Sequence, residues 1–426
     1  MSNGVNNDQQ CDNIGQYMGD SHKTGSDSRR GGSDFTRKDS HRNGADKRAA
    51  VKSRELFLAL LRTGLWEDGT LELSPADAKY LEPACKLALQ QSVPGLIAAG
   101  LERVNCPDGS KFEIPMGISM KLVSTMLTIE KRNGDMNRFI AKLLSELSEE
   151  KLNVVLVKGQ GIAQCYERPL WRASGDIDLL VDDFAYARLA EILTARATHV
   201  EKEDKSKMHF AMTVDGWEIE LHGKLDSNVS SRTDRVVDKV KKLVLAEKQT
   251  RIWHNGDTDI CLPSPDCDVV LVFAHILQHY FRGGIGLRQI CDWCRLLSTY
   301  TSRIDLTLLE FRIKEMGMMT EWKSFAALAV DYLGMPEDLM PMYDRAPRWS
   351  GKARGILKYI FETGNFGHNR DNSYFHRYPF LIRKFISLSR HTRDIVLRHL
   401  VLFPLDSIRL FFSMLTSGLR SAANGV

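Results

Sequence analysis

The chain has 426 residues, more than one compact domain usually holds, so two or three units are expected. Its hydrophobic fraction of 43% can build a sizeable core, and a formal net charge of +4 is too mild to imply a polyanion as the main partner. Nucleic acid is therefore not favoured as a partner, whereas a phosphate-bearing small ligand is compatible with that charge.

Residues 1–50 are rich in Gly, Ser, Asn, Asp and Arg and nearly devoid of large aliphatics. Such a segment cannot bury enough apolar surface to offset its ordering entropy, and a disordered polar tail is expected. It has no apolar core of a secretion signal, and no stretch of the chain reaches the ~20 apolar residues of a spanning helix, so a cytoplasmic protein without a transmembrane segment is expected.

A helical N-terminal region is predicted over residues 51–148. Ser74-Pro-Ala-Asp77 offers a helix start with proline in the first turn, and Met136, Phe139, Ile140, Leu143, Leu144 and Leu147 form one apolar stripe. An α/β unit is predicted over 149–262. It begins with a buried strand at Val154–Val157 and a short helix at Ile162–Tyr166. A strand at Asp176–Val181 and a helix at Ala185–Ala195 come next. Strands at His209–Val214 and Trp217–His222 are joined by Asp215-Gly216, a strong hairpin signal.

Residues 263–426 read as helical, with helices at Asp266–Phe281, Leu287–Tyr300, Leu306–Met316 and Glu321–Leu333. From Pro341 onward fourteen Lys and Arg stand against five Asp and Glu, a solvated basic face in the simplest reading. The eight cysteines are scattered, which points to reduced thiols. Cys291-Asp-Trp-Cys294 shares a helical face with Leu287, Ile290 and Leu297, so the pair is expected to be buried and structural.

The passage with chemical content is Ser174-Gly-Asp176-Ile-Asp178-Leu-Leu-Val181. Residues two apart in a strand share a face, so Asp176 and Asp178 project together while Ile177, Leu179 and Val181 enter the core. Like charges held side by side repel, and a hard divalent cation with oxygen ligands is the natural partner. In Trp217-Glu-Ile-Glu-Leu-His222 the residues Glu218, Glu220 and His222 take one side, and alternation alone cannot separate Glu218 from Glu220 as a third carboxylate. Upstream, Lys158-Gly159-Gln-Gly161 sits where a strand hands over to a helix, a place where backbone amides and a lysine can meet phosphate. His275 and His279 share a helical face at a spacing that can chelate metal, but no third ligand completes a zinc pattern, which leaves a polar wall or structural histidines; Arg288 either pairs with Asp292 or reaches a phosphate.

Lys158-Gly159, Tyr166, Arg172-x-Ser174-Gly175-Asp176-Ile-Asp178 and Glu220-Leu-His222 together resemble the bacterial uncharacterised nucleotidyltransferase family of the DNA polymerase beta-like superfamily. The resemblance runs from about Leu56 to Leu333 and includes His275-x-x-x-His279, Gly283-Gly-Ile-Gly-Leu-Arg288 and Asp292. It implies an α+β fold: a minimal palm, a small mixed sheet with helices, flanked by helical regions.

The activity implied is transfer of a nucleoside monophosphate from an NTP (ATP among the candidates) to an unidentified acceptor hydroxyl. Asp176, Asp178 and Glu220 would hold two Mg²⁺, or Mn²⁺, and Glu220 is favoured over Glu218 by the acidic-Leu-His pattern. Glu220 could instead serve as the base for the acceptor. Lys158, Gly159, Arg172, Ser174, Gly175 and Arg288 would contact the nucleotide. One departure stands out: the superfamily usually carries Gly-Ser after the first strand, where this chain has Lys158-Gly159. The rival readings are a nucleotide-binding regulatory protein without turnover, and a nucleotidyltransferase acting on RNA or on a protein.

Overall fold

The computed structural model describes residues 35–205, 208–227, 229–282, 284–365, 400, 402–404 and 408, with side chains from residue 46 onward. Helix α1 (Phe35–Trp66) crosses the expected boundary at residue 50, and residues 46–50 on it are exposed. The rest of the polar tail, Gly283 and most of the basic C-terminal stretch lie outside the described residues.

A two-residue strand, β1 (Leu71–Glu72), precedes a 3₁₀ turn at Pro75–Tyr80, where the Asp77 carboxylate accepts from both the backbone N–H and the hydroxyl of Ser74 (2.9 and 2.8 Å). Helices α2 (Leu81–Gln90) and α3 (Pro94–Leu101) follow, then β2 (Val104–Asn105) and the long α4 (Met116–Glu149). The stripe on α4 is inward as expected: Met136, Ile140, Leu143, Leu144 and Leu147 are buried.

The α/β unit comprises β3 (Val155–Val157), α5 (Gly159–Ala163), β4 (Ile177–Leu180), α6 (Asp183–Arg196), β5 (Ala197–Val200), β6 (His209–Val214) and β7 (Trp217–His222). The five strands form a mixed sheet in the order β3-β4-β7-β6-β5, with β4 and β7 parallel and the other pairs antiparallel. The hairpin falls where the Asp-Gly pair placed it: Asp215 and Gly216 both take positive φ (52° and 84°), as a tight turn between right-twisted strands requires.

Three details differ from the sequence reading. The short helix starts at Gly159 rather than Ile162, β4 starts one residue after Asp176, and strand β5 follows α6 with no intervening Gly or Pro to announce it. A further hairpin, β8 (Thr250–Asn255) with β9 (Thr258–Pro263), was not anticipated although Asn255-Gly256 marks its turn. Its first strand inverts the usual pattern: Arg251 is buried against Asp268 (2.8 Å) while Ile252 faces out at 47% exposure, so alternation misleads there.

Helices α7 (Ser231–Leu245), α8 (Pro265–Arg282), α9 (Leu287–Tyr300), α10 (Leu306–Met316), α11 (Met319–Leu333) and α12 (Pro347–Thr363) complete the described chain. The architecture is α+β, dominated by helices around a small mixed sheet. One apolar core lies under the sheet, joining α4, α6 and strands β4, β6, β7 and β9. A second fills the helical half around Phe273, Trp293 and Trp322, whose rings meet at 4.7–5.5 Å. Cys291 and Cys294 are fully buried there as free thiols. Val155, Val157 and Leu180 of the sheet belong to this second core, so the helical half packs on the sheet face that also carries Asp178.

The chain reaches that face through a tight contact. A Cβ on Gly95 of α3 would lie 2.1 Å from the Trp171 carbonyl oxygen, in the 3₁₀ turn Pro169–Trp171 that leads into Arg172. Gly95→Ala is expected to displace that turn and cost at least the ~1–3 kcal/mol of an overpacked core site, read by denaturant unfolding.

Candidate functional site

The sheet register builds the centre of the site. In the parallel pairing of β4 with β7, Asp178 lies opposite Glu220, and Asp176 enters from the residue just before β4. One carboxylate oxygen from each of Asp176, Asp178 and Glu220 lies within 4.8 Å of the others. Glu218, two residues earlier on β7, pairs across the hairpin with Thr213 and is not part of this group; burial raises its carboxyl and the charge of Arg132 opposes the rise.

Cationic and polar groups converge on the carboxylates. Lys158 adopts φ 57° and ψ −143°, a conformation normally left to glycine, as the chain turns from β3 into α5. Its Nζ donates to Asp178 Oδ1 at 2.8 Å, and His222 Nε2 lies 2.8 Å from the same oxygen. His209 Nε2 and His222 Nε2 lie 3.3 and 3.5 Å from Glu220 Oε2.

These contacts divide the three acids. Burial raises the Asp176 carboxyl, and the charges of Asp178 and Glu220 raise it further, to about 7. Burial also works against the Asp178 carboxylate, but the Lys158 ammonium and the His222 hydrogen bond outweigh it and hold Asp178 far below the usual range. Burial opposes the charge on Glu220 too, and its hydrogen bond with His209 brings it below its ordinary value.

Arg172 is spent elsewhere. It is buried, and its fork grips Asp292 of α9 with two bonds, Nε to Oδ1 at 2.8 Å and Nη2 to Oδ2 at 2.7 Å. Its Nη1 donates to the Ser174 hydroxyl at 3.0 Å, and the Tyr166 hydroxyl donates to Asp292 at 2.7 Å. Asp292 therefore pairs with Arg172 and not with Arg288, which donates to the Ala173 carbonyl at 3.0 Å.

All of this borders one cavity of about 560 Å³, within the ~300–1,000 Å³ usual for ligand pockets. Lys158, Gly159, Arg172, Gly175, Asp176, Asp178, Glu220 and Arg288 line it, whereas Ser174 is buried behind Arg172. The opposite wall is α8, with His275, Gln278, His279 and Arg282. The rings of His275 and His279 meet at 4.3 Å. Burial, then repulsion from Lys158, drives His275 well below its ordinary pKa and His279 down to about 4, so both present neutral imidazoles.

Lys224, Arg282 and His209 were not singled out from the sequence. His209 was within reach of sequence reasoning, because it lies as far before the Asp215-Gly216 turn as His222 lies after it, and the two face each other across the hairpin.

A family model described as an uncharacterised nucleotidyltransferase matches residues 81–334, more than half of the chain. No curated protein and no solved structure matches it.

Two outcomes are expected from the geometry and electrostatics of the site. Asp292→Ala strands a buried guanidinium and should cost roughly 3–5 kcal/mol of stability, measured by denaturant unfolding. Asp176 has a raised pKa in the fold, so ionising it destabilises the metal-free protein as pH rises from its unfolded value toward about 7. With chelator present, Asp176→Asn should therefore melt higher than the parent chain above about pH 7, an advantage that shrinks as pH falls toward 4.

Proposed function

The chain belongs to the uncharacterised nucleotidyltransferase family, and from that premise we propose that it transfers a nucleoside monophosphate from an NTP to an acceptor hydroxyl in a divalent-metal-dependent reaction. The observation that carries this reading is the pairing of Asp178 with Glu220 across parallel strands, which gathers three carboxylates on the wall of a nucleotide-sized cavity. On this reading the five-stranded sheet is a minimal palm of the DNA polymerase beta-like kind.

The donor set fits a hard cation: three carboxylate oxygens converge, and the Lys158 ammonium alone leaves them with excess negative charge. Asp176, Asp178 and Glu220 would hold two Mg²⁺, with Mn²⁺ as a substitute. Bound there, such ions supply activation of the attacking hydroxyl and neutralisation of the departing pyrophosphate. The acceptor oxygen bonds to the α-phosphorus as the bond from that phosphorus to the pyrophosphate oxygen breaks.

The chain's own residues orient this exchange. Lys158 and Arg288 supply positive charge toward the phosphates, and the open space at Gly175 lets the ligand approach the backbone, while Gly159, with φ of 40°, also lines the cavity. Arg172 and Ser174 act as positioning residues, because the fork on Asp292 fixes the approach to Asp176. The neutral imidazoles of His275 and His279, with Gln278, form a polar wall for the nucleotide or the acceptor. Among the described residues no helix is long and apolar enough to cross a membrane.

The test is to incubate the protein with each α-labelled NTP, Mg²⁺ and a cell extract, and to find where the label goes. Asp178→Asn, with its fold verified by melting, should lose roughly 10³-fold or more of the Mg²⁺-dependent transfer. Unchanged turnover in that variant would sink the proposal. Glu220→Gln should lose activity by orders of magnitude while Glu218→Gln retains most of it; the reverse pattern would move the third carboxylate to Glu218.

A further inference from the structure

Beside the three carboxylates lies a second convergence of ligand atoms, on the outer half of the sheet. His209 and His222 are direct cross-strand partners on β6 and β7, and Glu220 lies two residues before His222 on the same face. One ligand atom from each of the three lies within 4.8 Å of the others. The imidazole rings stand 5.0 Å apart. Both Nε2 atoms lie near one oxygen, Glu220 Oε2, at 3.3 and 3.5 Å, and His222 Nε2 is also bonded to Asp178.

The convergence of two imidazole nitrogens and one carboxylate oxygen on a single strand pair carries the inference. A charge-assisted N–H···O⁻ hydrogen bond closes to about 2.7–2.9 Å, as His222 does on Asp178 at 2.8 Å. The contacts to Glu220 Oε2 are longer, the shorter of them the His209 hydrogen bond described above. Zinc binds histidine nitrogen and carboxylate oxygen at about 2.0–2.2 Å, and the edge of a tetrahedron of that radius is about 3.4 Å. The separations from Glu220 Oε2 are compatible with that edge. Two imidazoles and one carboxylate are the protein ligands of an open zinc site, and nitrogen donors favour a transition metal over Mg²⁺.

We propose that His209, Glu220 and His222 form a transition-metal site, with Zn²⁺ the ion it best fits, contiguous with the carboxylate trio and sharing Glu220 with it. Two adjacent strands hold all three ligands, so the site is largely formed before the ion arrives. Loading exchanges the hydrogen bond between His222 and Asp178 for a metal–nitrogen bond, leaving Asp178 to Lys158 and the trio.

The site is tested by binding, without turnover, so its failure is separable from failure of the nucleotidyltransferase reading. Full-length protein stripped with chelator is titrated with Zn²⁺, with Co²⁺ as a spectroscopic probe. The parent chain should give visible Co²⁺ bands that Zn²⁺ abolishes. His209→Ala should lose Zn²⁺ affinity by about 100-fold or more, beyond the cost of losing an outer partner alone, whereas Asp176→Asn should retain it. Cu²⁺ loaded into the parent chain should show nitrogen hyperfine coupling, which needs no variant and so guards against misfolding of His209→Ala. Full Zn²⁺ affinity in a folded His209→Ala, loss only in Asp176→Asn, or Cu²⁺ spectra with oxygen ligation alone would each overturn the proposal.

Discussion

Three carboxylates held on one face of a small sheet are the constraint around which the rest of this structure is arranged. Parallel pairing of β4 with β7 sets Asp178 against Glu220, and the turn ahead of β4 adds Asp176. Side by side and largely withdrawn from water, these groups repel, and the fold tolerates them only with compensation. Lys158, His222 and His209 supply it, but unevenly: contact with cationic or hydrogen-bonding groups keeps Asp178 and Glu220 ionised, while Asp176 absorbs the residual repulsion as a raised pKa. A fold selected for stability alone would replace one of these acids with an apolar or amide side chain.

The helical half is part of the same arrangement. Its helix α9 carries Asp292, which receives Arg172 from the chain entering β4, and its helix α8 forms the far wall of the cavity. The buried fork is what fixes the carboxylate strand against the helices, since removing either partner leaves a desolvated charge. The pocket lies between sheet and helices, so neither unit encloses it alone.

Much of this was legible in the sequence, and the boundary of legibility has physical causes. Period-two alternation put Asp176 with Asp178 and Glu218 with Glu220, and the Asp215-Gly216 turn located β6 and β7 to the residue. Alternation describes one strand, however, and says nothing about its neighbour. The adjacency of β4 and β7 joins segments some forty residues apart, with a helix and two strands between them; the acidic-Leu-His pattern favours Glu220 over Glu218, and only the folded register sets Glu220 opposite Asp178. Strand β8 escaped because an ion pair, Arg251 with Asp268, occupies the inward position that an aliphatic residue normally takes. The resemblance implies Arg172 as a nucleotide contact, and the partner that its fork grips in the fold lies 120 residues away on a helix.

The Lys158-Gly159 departure also takes on a meaning that pattern could not supply. The lysine does not merely stand near a phosphate position: its ammonium rests on the Asp178 oxygen, in a strained backbone conformation that aims it there. A single positive charge neutralises one of the three carboxylates, which makes the metal-free site tolerable without making it neutral. On the proposed reading, Asp178 would be shared between Lys158 and a bound metal ion. The Lys158 ammonium, freed in part from Asp178, would stand at the cavity wall, where the triphosphate brings new negative charge. Metal and nucleotide would thus assist each other's binding through one side chain, because the contact that the metal disrupts is the contact that the phosphate replaces.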